Sequence, residues 1–72
     1  MRVKLFVHIK GEINSRELYE DIKCYDPCVT DIGTETFVTA SVNITMFDAE
    51  KIITTCNKYG ECDVQIEVLP IV

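Results

Sequence analysis

Four cysteines and a single histidine are the side chains of this 72-residue chain best suited to nucleophilic, redox or metal chemistry. Three residues separate Cys24 from Cys28, and five separate Cys56 from Cys62. Neither spacing is the tight C-x-x-C of a zinc knuckle or a thioredoxin-type redox pair. Cys56 and Cys62 fall on apolar periodicities, where a free thiol behaves as a small buried hydrophobe. Cys24 lies off the main apolar stripe and the facing of Cys28 is ambiguous, and these two are the weak metal or disulfide candidates of the chain. Asp21 and Asp26 nearby make their surroundings electronegative, which discourages a reactive thiolate. His8 lacks the nucleophile and the orienting group that a catalytic base needs at a telling spacing. Ser41 and Asn43 on the neighbouring strand are candidate companions of a kind common on solvated sheets, and an exposed, non-catalytic role is the expectation. No catalytic residue, cofactor or firm metal site is assigned, and the chain reads as a non-enzyme.

Apolar periodicity defines the elements that place these residues. Residues 2–10 alternate, with Val3, Leu5, Val7 and Ile9 on one side and Arg2, Lys4, Phe6, His8 and Lys10 on the other. Asn14 with Glu17 three residues on, flanked by Ile13 and Leu18, reads as a capped helix start. Leu18, Ile22 and Tyr25 share its buried face. Pro27 ends the segment and is expected to push Asp26 into an extended conformation. Cys28 to Ile32 is short and β-compatible, and Gly33-Thr34-Glu35 makes a hairpin connection. Phe37 to Ile44 alternates again, with Val38, Ala40, Val42 and Ile44 inward. A second helix begins near Thr45, buries Ala49, Ile52, Ile53, Cys56 and Tyr59, and is expected to end on a left-handed Gly60. The last strand spans about Glu61 to Leu69, with Cys62, Val64, Ile66 and Val68 inward, and Pro70 stops it.

This strand–helix–strand–strand–helix–strand order predicts one domain over residues 1–72. Its fold class is α+β: a two-layer, ferredoxin-like βαββαβ sandwich with antiparallel sheet order 4-1-3-2. That order sets Glu61, Asp63 and Glu67 beside Arg2, Lys4 and Lys10, opposite charges that help define register. It also separates the two cysteine pairs, which excludes one metal site built from all four.

Twelve acidic against seven basic residues leave a net charge of −5. Nucleic-acid affinity depends on cations neutralising phosphates, so the balance argues against a nucleic-acid partner and against an anionic membrane. The longest uncharged stretch, Thr36 to Phe47, is too short and too polar to span a bilayer. The N-terminal residues lack a signal-peptide apolar run, and a cytoplasmic location is the default.

Phe6 and Phe37 point outward from the two expected central strands. RNA-recognition modules of this architecture stack bases on such rings, but Thr36-Phe37-Val38-Thr39-Ala40 lacks their glycine-flanked basic-aromatic motif. The loop Gly11-Glu12-Ile13-Asn14-Ser15 has neither the cysteine pair of heavy-metal-binding domains nor the arginine of acylphosphatases. In length and element order the chain resembles the small-molecule-sensing ACT domains. The leading expectation is an interaction or regulatory module that forms a homodimer or binds another protein through Phe6, His8, Phe37 and the apolar tail residues Ile71 and Val72. A small metabolite bound at a dimer interface is what the resemblance implies, and a thiol or metal protein using Cys24 and Cys28 is the third reading.

Overall fold

The computed structural model of the chain describes residues 2–70, apart from the side chains of residues 41–43. Its elements are β1 (Arg2–Ile9), α1 (Ser15–Ile22), a 3-10 turn (Lys23–Tyr25), β2 (Cys28–Ile32), β3 (Glu35–Thr45), α2 (Met46–Asn57) and β4 (Cys62–Val68). The strands form one antiparallel sheet in the order β2-β3-β1-β4. β1 therefore lies between β3 and β4, and both helices cover the same face of the sheet.

Local chemistry accounts for the helix starts. The Asn14 side chain accepts from the Glu17 backbone N–H at 3.1 Å, and Thr45 Oγ1 accepts from that of Asp48, also at 3.1 Å. Each cap satisfies one of the N–H groups that a helix N-terminus leaves without an internal partner. Gly33 and Thr34 alone join β2 to β3, and Gly33 has φ +64°. Thr34 has no positive φ, and a positive φ at the first hairpin position alone belongs to the type II′ turn, whose twist matches that of the flanking strands.

The core joins Val3, Leu5, Val7 and Ile9 of β1 to Val38, Ala40 and Ile44 of β3, with Leu18 and Ile22 of α1 and Ala49, Ile52 and Cys56 of α2. Burying a Val, Leu or Ile contributes ~1.5–3 kcal/mol. In a chain this small these few side chains therefore carry most of the apolar stabilisation.

Four local expectations need correction. Asp26 is left-handed, with φ 54° and ψ 52°, because its N–H closes the 3-10 turn onto the Lys23 carbonyl at 3.0 Å. Aspartate tolerates that conformation better than most residues. Gly60 has no positive φ. It is small because a Cβ there would lie 3.1 Å from the Lys10 carbonyl oxygen and 3.2 Å from Ile9 Cγ2. In β3, the pairing with β1 jumps from Ile44 opposite Val3 to Ala40 opposite Leu5, so residues 41–43 form a bulge that alternation had not revealed. The expected orientations of Ser41, Val42 and Asn43 lie outside the described side chains.

The fourth correction concerns β4. Cys62 and Ile66 pack against the core, but Val64 is 40 % and Val68 58 % exposed. Both stand on the helix side of the sheet, opposite the buried Val7 and Val3. The helices do not reach far enough across the sheet to cover them. Among the described residues, no helix is long and apolar enough to cross a membrane.

Candidate functional site

The helix-free face of the sheet brings together most of the expected interaction residues. Register places Thr30, Phe37, His8 and Asp63 in one row across the four strands, and Cys28, Thr39, Phe6 and Gln65 in the next. A shallow depression of about 260 Å³ lies here, lined by Phe6, His8, Phe37, Thr39, Asp63 and Gln65. Phe6 is 40 % exposed. Phe37 is only half-buried rather than open, because the His8 ring stacks on it with centroids 4.6 Å apart and planes inclined by 7°.

His8 has company that the sequence did not single out. Its Nε2 lies 2.9 Å from Glu35 Oε1, and its Nδ1 lies 3.9 Å from Asp63 Oδ2. Lys10 Nζ reaches the same Asp63 oxygen at 3.3 Å. Two carboxylates therefore address opposite nitrogens of one ring. The Glu35 contact and the Phe37 stack hold the imidazole in place, while Asp63 lies beyond hydrogen-bond distance of Nδ1. Placement at opposite nitrogens prevents a single ion from being held by all three groups. Among the described residues, no three His, Cys, Asp or Glu side chains gather closely enough to hold a metal. The signal that could have found the site is the register itself, since Glu35, Phe37 and Asp63 share the side-chain parity of His8 across the sheet.

The thiols separate into two kinds. Cys56 is fully buried, and burial pushes its thiol up to about 12. Cys62 is half-buried, with its Sγ donating to the Gly60 carbonyl at 3.3 Å. Burial first and the Asp63 charge second raise its thiol too. Neither is a nucleophile near neutral pH. Cys24 and Cys28 are exposed and free. Cys28 stands at the level of Phe6 and Cys62 at the level of Ile9, on opposite edges of the sheet. Three strand spacings put them roughly 14 Å apart across its width, which is too far for one metal.

Two polar ties lie on the opposite, helical side. Asp31 accepts from Ser15 Oγ at 2.6 Å and from the buried Thr36 Oγ1 at 2.7 Å, joining β2 to the start of α1 and to β3. These hydrogen bonds hold its carboxyl below the usual range. The Tyr59 hydroxyl donates to Asp21, linking the end of α2 to α1, and that bond is the main reason its phenol is pushed up to about 12. Ile71 and Val72 lie outside the described residues. No protein family, curated protein or solved structure matches this chain.

Proposed function

We propose that the protein is a non-enzymatic interaction module that self-associates through the helix-free face of its sheet. The observation that carries this reading is the exposed Phe6 beside an apolar depression, flanked by columns of opposite charge. β1 and the residue after it present Arg2, Lys4 and Lys10, and the neighbouring β4 segment presents Glu61, Asp63 and Glu67. Such a face is self-complementary, because a two-fold pairing can set one copy's cationic column against the other's acidic one.

Size limits the strength of this contact. A face four strands wide and seven residues long covers roughly 19 by 23 Å. Two such faces bury about 900 Å², below the ~1,200 Å² at which stable specific interfaces begin, so the dimer is transient and concentration-dependent. Sedimentation equilibrium of the wild type and of Phe6→Ser/Phe37→Ser tests the reading. A wild-type dimer lost in the double variant supports it. A monomeric wild type ends it, and an unchanged dimer in the double variant moves the interface elsewhere.

We infer a ferredoxin-like fold, supported by the element order and the inner placement of β1 and β3, and a cytoplasmic site of action, where free cysteines stay reduced. A second reading follows from the resemblance to ACT domains. The depression lies just below the usual range of ligand pockets and suits only a small metabolite, so saturable thermal stabilisation by a free amino acid would favour it. The thiol reading rests on the exposure of Cys24 and Cys28, and metal retained through purification would favour it.

A further inference from the structure

The outer edge of β4 differs from the face just described. Antiparallel strands turn the peptide groups of alternate residues toward their neighbour. The Leu69 N–H donates to the Arg2 carbonyl at 2.9 Å, and the Lys10 N–H donates to the Glu61 carbonyl at 2.8 Å. Glu61 and Leu69 therefore face β1. With an unbroken register between them, so do Asp63, Gln65 and Glu67. The N–H and C=O groups of Cys62, Val64, Ile66 and Val68 point the other way. Among the described residues, no strand pairs with that edge.

Side chains add specificity to this row of backbone groups. Val64 and Val68 lie exposed on the helix side, and Asp63, Gln65 and Glu67 lie exposed on the other. We propose that the β4 edge accepts an extended segment of another protein as a fifth strand, one that alternates apolar residues with lysine or arginine. Its apolar residues would cover Val64 and Val68, and its cations would lie across from Asp63 and Glu67. Main-chain hydrogen bonds supply affinity in this mode of recognition, and alternate side chains supply selectivity.

Charge disfavours a second copy of β4 as the occupant. A two-fold antiparallel pairing centred on Asp63 or on Glu67 sets that carboxylate against itself. Centred on Gln65 it sets Asp63 against Glu67, and centred on Val64 it sets Glu61 against Glu67. Centred on Ile66, Asp63 still lies diagonal to the second copy's Glu67. Like charges across a sheet destabilise pairing, so the acids that disfavour self-pairing select a basic strand.

The test is titration of the isotopically labelled full chain with a synthetic peptide that alternates valine and lysine. The expected result is shifted and exchange-protected amides at Val64, Ile66 and Val68, with Val29 and Asp31, the outward amides of the β2 edge, unmoved. Replacing the peptide's lysines by glutamates should weaken binding roughly tenfold, the yield of two cross-strand charge pairs turned from attraction to repulsion. Asp63→Lys/Glu67→Lys should reverse that order. Val64→Pro removes an N–H that the sheet does not use, so it should keep the circular dichroism of the fold and lose the peptide. Equal binding of the glutamate peptide, shifts away from β4 or no shifts would overturn the proposal. Protection of the same amides by raising the protein concentration alone would do so too, because the occupant would then be a second copy.

Discussion

The two edges of the sheet carry strands of similar length and meet different fates. At the β2 edge, Pro27 is buried, Val29 packs against the core, and Asp31 is tied to both Ser15 and Thr36. α1 packs against the helix side of that edge, while Ile32 stays 63 % exposed on the helix-free face. At the β4 edge, Val64 and Val68 keep roughly half their surface in water, although their β1 neighbours are fully buried. Alternation says which face a side chain takes, and helix placement decides whether that face is covered.

Mutations should divide along that line. Ile22→Ala, on the helix that closes the β2 side, should cost about 2–5 kcal/mol, because Ile22 has no exposed surface. Chemical denaturation provides the measurement. Asp31→Ala should lower the denaturation midpoint, by less than Ile22→Ala, by leaving the buried Thr36 hydroxyl without its acceptor. The same residue gives an acid signature. Its folded carboxyl lies below the ordinary value of 3.8, so its contribution is present above that pH and lost as pH falls through the folded value. Asp31→Asn should flatten that part of the acid-denaturation profile.

At the alkaline end the sign is opposite. The Tyr59 phenol is raised from 10 to about 12, so the stability it contributes is complete below pH 10 and disappears as pH rises toward 12. Cys56 titrates over an overlapping range. The difference between wild type and Tyr59→Phe, rather than either profile alone, isolates the tyrosine. Asn14→Ala should cost about 1 kcal/mol through its lost helix cap. Val68→Thr should stay within about 0.5 kcal/mol. A Val68→Thr penalty equal to that of Ile22→Ala would erase the distinction between the two edges.

What was legible in the chain followed from short-range rules. Period-two alternation in residues 2–10 identified all four buried residues of β1, and Asn14 and Thr45 marked both helix starts. The failures came where distant segments meet. Gly60 gives room to the approach of Lys10 and Ile9, which lie about 50 positions away in sequence. Val64 and Val68 alternate correctly and are uncovered because no helix lies over them. His8 pairs with Glu35 and Asp63, partners that only the sheet register brings near. Of the candidate interaction residues, Phe6, His8 and Phe37 share one surface, while Ile71 and Val72 lie outside the described residues.

The central claim is that the helix-free face binds a second copy while the β4 edge does not. Amide chemical shifts followed through a dilution series of the labelled full chain test it most directly. The account predicts concentration-dependent shifts at Phe6, Phe37, Thr39 and Gln65, with Val64, Ile66 and Val68 constant throughout. Shifts confined to those three β4 residues, or no dependence on concentration at any residue, would contradict it.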